Sequence, residues 1–259
     1  MSWDIDHAAT ELLDRETHAA ARGPVTEQWP ELDLATAYAV QDETLRRRVE
    51  RGERLVGVKL GLTSRAKQRR MGIDAPLTAW LTDAMALPAG DPVPRDALIH
   101  PRAEPEIVFV MRDRLAGPGV TAATALAAVG TVHAGVEIID SRYADFQFTL
   151  PDVVADNASS GRYVTGPVGV PPDGLDLAME GCLVEVGGQV VDSATGAAVL
   201  GHPAEALALA ANDLGRRGLA IEPGWVVLTG GMTDAVPVPA GVSLGVHFTH
   251  LGSIHLSGS

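Results

Sequence analysis

His100-Pro-Arg-Ala-Glu-Pro-Glu-Ile-Val-Phe-Val110 places two carboxylates one residue apart at the opening of what reads as a buried strand. Side chains at i and i+2 of a strand leave from the same face. Glu104 and Glu106 therefore project together with Val108 and Val110, and Pro105, Ile107, Phe109 and Met111 line the opposite face. Two like charges on a half-buried face need compensation, because an unpaired buried carboxylate is costly or takes up a proton. A divalent cation answers a pair of hard oxygen ligands economically. The alternative is an edge strand that turns both glutamates to water, a place where Pro105 is also tolerated.

A metal would call for a third oxygen donor. Glu137, in Val132-His-Ala-Gly-Val-Glu-Ile-Ile-Asp-Ser-Arg142, is the lone acidic residue in the middle of an apolar run and is the candidate. The other reading pairs it with an arginine.

Composition sets the outer limits. The 259 residues suffice for a sizeable core in one large or two modest domains. A formal charge of -13 argues against nucleic acid or an anionic membrane as a partner. Cys182 is the single cysteine, which excludes an internal disulfide and suits a reducing cytoplasm. The acidic N-terminus lacks the features of a signal peptide, and the longest apolar run, near 122–139, is too interrupted to span a bilayer. Of the 20 basic residues only Lys59 and Lys67 are lysines.

Helical spacing predicts an amphipathic helix over residues 5–22, stopped by Gly23-Pro24, and a second helix capped by Asp33 with Glu50/Arg54 as an i,i+4 pair. These residues, 1–54, read as a helical N-terminal lobe, and 55–259 as a mostly β domain. Leu55-Val-Gly-Val-Lys-Leu-Gly-Leu62 alternates as a strand with Lys59 opposite the core face, between Gly57 and Gly61; it either points to water or meets something that the glycines admit. Asp83 is either a turn-capping aspartate or a carboxylate aimed into a cleft. Residues 140–162, dense in Asp, Asn, Ser and Arg among Tyr143, Phe146 and Phe148, suit a functional loop, or a network of turns and caps. Further on, Gly187-Gly188 signals a hairpin, Pro203 opens a helix that Gly218 stops, and Trp225 to Gly231 is a strand ending in two glycines whose N–H groups could bind an anion. His247, His250 and His255 lie at no recognisable zinc spacing and read as surface strand residues.

Several of these segments form one pattern. Gly57-Val-Lys-Leu-Gly-Leu-Thr63, Leu81-Thr-Asp83, His100 to Ile107, Val136-Glu-Ile-Ile-Asp-Ser-Arg142, Val154-Ala-Asp-Asn157, Leu200-Gly-His-Pro203 and Leu228-Thr-Gly-Gly231 occur in the order and spacing of the hydratase/decarboxylase branch of the fumarylacetoacetate hydrolase-like superfamily, which the chain resembles from its second helix to its C-terminus. Within the branch it is most similar to the decarboxylases of 2-oxo-3-hexenedioate, with the 2-oxopent-4-enoate hydratases close behind. The resemblance implies an α+β fold, a mixed, mostly β roll with helices packed outside. It implies a metal-dependent lyase of the meta-cleavage pathway for aromatic compounds, acting on a small 2-oxo acid. Glu104, Glu106 and Glu137 would hold Mg2+ or Mn2+, and Lys59 and Asp83 would serve as acid/base groups. Arg142 and Arg162 are the candidates for gripping a distal carboxylate, and Ser160, Thr229 and Gly230 complete the expected substrate-binding set. A homo-oligomer is expected, as is association between decarboxylase and sister hydratase.

One position departs from the pattern. Asp234 stands where a small apolar residue is expected, and if its loop lined the pocket its charge would repel a dicarboxylate. Two other classes stay open: a C–C bond hydrolase or isomerase, which would need a His-Glu dyad that His7 and His18 do not supply, and a non-catalytic oligomer partner.

Overall fold

Residues 3–73 and 75–259 are described by a computed structural model of the chain. Two helices come first, α1 (Ile5–Thr17) and α2 (Leu34–Glu50), capped by the Asp4 and Asp33 carboxylates, which accept from His7 N and Thr36 N. The first helix ends earlier than its spacing predicts. Ala19 turns left-handed at φ 47°, and the chain runs off so that Arg22 can exchange backbone hydrogen bonds with Arg142 and Ala144.

Next come β1 (Leu55–Gly61), α3 (Arg65–Met71), β2 (Leu77–Thr82), β3 (Arg102–Met111), α4 (Ala122–Ala127), β4 (Val129–Ile139), α5 (Leu150–Ala155) and β5 (Ser160–Thr165). The chain closes with β6 (Gly181–Val186), β7 (Gln189–Thr195), α6 (Pro203–Arg216), β8 (Val226–Leu228), β9 (Val236–Pro237), β10 (Ser243–Phe248) and β11 (Ser253–Ser257). The larger sheet runs β2-β1-β8-β3-β4-β5, with β9 also paired to β3; the smaller runs β11-β10-β6-β7. Their apolar faces share one core, in which Ile107, Phe109, Val132, Ala134 and Val136 of the large sheet pack with Leu244, Val246, Ile254 and Leu256 of the small one. Helices α1, α2 and α5 bury Ala8, Leu12, Val40, Tyr143 and Val154 in a second cluster. Among the described residues no helix is long and apolar enough to cross a membrane.

The edge-strand alternative for Glu104 and Glu106 fails here, since β3 is central, flanked by β4 and by β8 and β9. Pro105 is tolerated because its backbone faces the break between those two short strands. Its carbonyl accepts from Met232 N in the connecting loop, so no strand there requires a proline N–H.

Candidate metal centre and the cavity beside it

The register of β3 against β4 pairs Glu104 with Glu137 and Glu106 with Gly135, so three carboxylates share one face of the sheet. Oxygens of Glu104, Glu106 and Glu137 all lie within 4.8 Å of one another. Glu106 and Glu137 are fully buried. Beside them on β1, Lys59 is 3 % exposed and sits 3.0 Å from a Glu137 oxygen, so the reading of this lysine as solvated is overturned. Strands β2 and β8 flank β1 and both of its faces are covered, which keeps the side chain out of bulk solvent.

Lys59 Nζ meets Glu137, and Glu106 lies deeper in the same cluster. Burial, then repulsion from Glu137 and Glu104, pushes the Glu106 carboxyl well above the usual carboxylate range. One of its oxygens, Oε2, accepts from Gly230 N at 2.7 Å; the other, Oε1, is buried without a hydrogen-bond partner. A buried carboxylate oxygen without a donor is costly. A cation at the meeting point of the three side chains would meet the orphan oxygen and relieve the repulsion among the carboxylates that Glu106 experiences. The all-oxygen donor set suits a hard divalent ion.

The glycines after β8 have a different use from the one expected. Gly230 N–H does bind an anion, but the anion is the protein's own Glu106. Gly230 has φ +109°, and a Cβ there would meet Thr63 Oγ1 at 1.9 Å; a Cβ on Gly231 would stand 2.8 Å from Glu104 Oε2. Both positions must be glycine for the loop to close over the carboxylates.

A cavity of about 220 Å³ opens beside this cluster, lined by Lys59, Glu104, Gly231, Leu62, Thr63, Ser64, Leu77, Ile139, Phe146, Phe148, Val153, Ala158 and Ser159 among others. Of the described residues that line it, only Lys59 and Glu104 ionise. Four of them, Leu62, Phe146, Ala158 and Ser159, hold left-handed φ values of 49° to 57° without being glycine. Such backbone costs on the order of 1 kcal/mol or more per residue and persists where the surroundings dictate it, commonly around functional sites.

The other expected site residues lie elsewhere. Asp83 opens a short 3-10 turn and accepts from Arg54 N and Arg54 Nε, both at 2.8 Å, which holds its carboxyl below the usual range. Its carboxylate ties the start of β1 to this turn, outside the described cavity lining, and it takes Arg54 away from the predicted Glu50 pair. Arg142 is committed to its own loop: its guanidinium bonds Asp156 Oδ1, Asp156 O, Asp140 O at 2.6 Å and Ser160 O at 2.8 Å. It is not among the described residues that line the cavity. Arg162 lines a separate polar groove with Glu16, Arg48 and Arg51, and donates to Gly161 O. Ser160 Oγ donates to Asn157 O and Thr229 Oγ1 to Ile107 O, so both tie down loops. Asp234 is exposed and is not a lining residue, which removes the expected clash with a dicarboxylate. Missed in the sequence were Ser64, Ser159 and Leu77, which join the wall through a short helix start, a strained turn and a strand start.

An all-carboxylate centre beside a lysine, in a pleated roll, defines a class. The chain belongs to the fumarylacetoacetate hydrolase family: residues 55–256 match the model of the fumarylacetoacetate (FAA) hydrolase C-terminal region. It is 45% identical over 246 residues to 4-oxalocrotonate decarboxylase of Pseudomonas putida, covering 95% of this chain and 93% of that protein. It is also 40% identical over 239 residues to 2-hydroxyhexa-2,4-dienoate hydratase of Comamonas testosteroni, covering 92% and 90%. The solved structure of 4-oxalocrotonate decarboxylase from Pseudomonas putida G7, complexed with magnesium and adipate, superimposes with a TM-score of 0.96 at 41% identity over 98% of this chain and 97% of that one.

Proposed function

We propose that the chain is a magnesium-dependent lyase that decarboxylates 2-oxo-3-hexenedioate to 2-hydroxypenta-2,4-dienoate and carbon dioxide, within the meta-cleavage breakdown of aromatic compounds. Manganese would substitute, since it accepts the same oxygen ligands. The observation that carries the reading is the cavity itself, beside the carboxylate cluster, where Lys59 and Glu104 are the ionisable groups among the described lining residues. The decarboxylase relatives' names and the likeness to a magnesium and adipate complex support it.

Glu104, Glu106 and Glu137 would hold the metal, which when bound supplies a Lewis acid for the cis carboxylate and ketone oxygens of a 2-oxo acid. Lys59, anchored on Glu137, presents a fixed ammonium near the ketone oxygen, where negative charge accumulates as the distal carboxylate leaves. Leu62, Leu77, Phe146 and Phe148 exclude water and solvate a distal carboxylate poorly, which favours its departure as neutral carbon dioxide. Hydration of the dienol is the second reading, favoured by the Comamonas relative's name. It would need a group to hold water against the far carbon, for which the described lining offers the hydroxyls of Thr63, Ser64 and Ser159 beside Lys59 and Glu104. The reading further holds that the enzyme is cytoplasmic, forms a homo-oligomer and associates with its sister hydratase.

The test is to supply 2-oxo-3-hexenedioate and, separately, 2-hydroxypenta-2,4-dienoate with Mg2+, following carbon dioxide and the dienol absorbance. Carbon dioxide from the first, lost on chelation and reduced about 10³-fold or more in Glu106→Gln, is the expected result. Hydration of the second with no carbon dioxide from the first would replace the proposal by the hydratase reading.

A further inference from the structure

Strand β3 carries a third ionisable side chain on its carboxylate face. Arg102, Glu104 and Glu106 alternate along the strand, so all three leave from the same side of the sheet. The register agrees: Arg102 pairs with Ile139 of β4, directly paired residues share a face, and Ile139 lines the cavity. Arg102 stands two strand residues from Glu104, about 6.7 Å along the sheet, which is comparable to the length of a six-carbon dicarboxylate. Its half-buried side chain makes no hydrogen bond and no ion pair among the described residues. What it meets is a ring: its Cζ lies 4.2 Å from the centroid of Phe146, which belongs to the cavity wall.

That ring is built into place. Asp145 and Phe146 both hold φ 56°, a strained turn that carries Phe146 against the start of β3. The ring also stacks on His100, with centroids 4.5 Å apart. His100 is itself pinned, its backbone N–H donating to Asp140 Oδ1 at 2.8 Å and its Nε2 standing 2.8 Å from Ser141 O. A guanidinium that rests on an aromatic ring by its face keeps N–H donors at its edge, in the fork geometry that receives a carboxylate bidentately.

We propose that Arg102 receives the distal carboxylate of the substrate and so selects dicarboxylic over monocarboxylic 2-oxo acids, an inference that rests on the reading of the cavity as a 2-oxo acid site. Lys59 and Arg142 are committed to Glu137 and Asp156. With its 2-oxo end at the carboxylate cluster, a six-carbon chain laid along β3 brings its far end to Arg102. The wall around that chain, with Leu62, Phe146 and Phe148, is apolar, so a second carboxylate enters at a desolvation cost that a cation at the edge offsets. The attraction belongs to the carboxylate and fades as it departs as neutral carbon dioxide, so it strengthens binding of the substrate more than of the transition state. Its loss therefore falls on KM.

The experiment is calorimetry in Mg2+ with 2-oxoadipate and 2-oxohexanoate, which differ only at the far end and lack the double bond through which decarboxylation proceeds. The wild type should bind the diacid more tightly. In Arg102→Gln that preference should shrink about tenfold through weaker diacid binding, while the monoacid changes by no more than about twofold. Arg102→Lys keeps the charge without the fork and should fall between. With 2-oxo-3-hexenedioate the same variants should lose kcat/KM through KM. Equal weakening of both acids would make Arg102 a support for Phe146 and overturn the inference, as would an unchanged preference in Arg102→Gln. A wild type that binds both acids equally well overturns the inference alone. One that binds neither in Mg2+ overturns the 2-oxo acid reading and the inference with it.

Discussion

Arg142 is buried with four guanidinium hydrogen bonds made, and Glu106 is buried with an oxygen that no donor among the described residues meets. Both belong to clusters of several charges. Around Arg142 the protein supplies its own counterion, Asp156, held also by Arg142 N at 3.2 Å and Ser159 Oγ at 3.2 Å, although burial still lifts the Asp156 carboxyl to about 6 against the pull of the guanidinium. Around Glu106 three carboxylates converge beside Lys59 next to a cavity, and Glu106 Oε1 meets no donor among the described residues. The first arrangement is finished by folding. The second leaves a buried oxygen unmet until something from outside arrives, which is what distinguishes a structural ion pair from a binding site.

Mutation should separate the two clusters most sharply in stability. Arg142→Met strands Asp156 in the interior and should cost about 3–5 kcal/mol, measured by denaturant unfolding with chelator present. Glu106→Gln removes a repelled charge and should leave the metal-free protein as stable as the wild type or more so, while abolishing stabilisation by Mg2+. Comparable losses in both variants would mean that the Glu106 cluster is also a structural network.

Acidity sharpens the same contrast. The folded-state pKa of Glu106 is raised above its unfolded value, so the folded state holds that proton more tightly. In chelator, this contribution is fully present below the ordinary glutamate pKa and is lost as pH climbs through the raised one. With Mg2+ the sign reverses, because proton and metal compete for one carboxylate and the metal gains as pH rises. Tm followed against pH with and without Mg2+ should show opposite slopes that converge in Glu106→Gln. Parallel slopes would remove Glu106 from the metal centre.

How far all this could be read from the sequence depends on the range of the interaction. The Glu-x-Glu pair was legible because a strand's two-residue period is local, and the hairpin at Gly187-Gly188 and the Pro203 helix were legible for the same reason. Glu137 could be chosen as an isolated charge in an apolar run, but only the register of β3 on β4 puts it opposite Glu104. The roles of Arg142, Arg162 and Asp83 were not legible, since an arginine that grips substrate and one that clamps a loop have the same local sequence. The same limit hid the meeting of His247 and His255, which a hairpin makes and spacing does not reveal.

A smaller effect tests the loop that closes over the carboxylates. Gly231→Ala would bring its Cβ to 2.8 Å from Glu104 Oε2 and 2.9 Å from Cδ, so the ligand must swing away. Mg2+ affinity should fall by about 10–100-fold, the range seen when a ligand loses its orientation, with little change in Tm in chelator. An unchanged affinity would show that Glu104 is dispensable to the centre.

Asp83 should give the smallest effect of all. Its carboxylate holds the backbone N–H and side chain of Arg54 at the junction between α2 and β1, a solvent-exposed link whose removal should lower stability only slightly. Because it does not line the cavity, Asp83→Asn should change kcat by no more than about twofold and leave the pH profile of kcat where it was. A shifted profile would mean that the turn reorganises when substrate binds and brings Asp83 to the reacting atoms. That outcome would give the exposed ion pair with Arg54 a meaning the static arrangement does not require: it would be the resting position of an acid held in reserve, and Arg54→Ala would then alter catalysis through the same profile. An unshifted profile in both variants leaves Lys59 and the carboxylates as the ionisable groups at the cavity among the described residues.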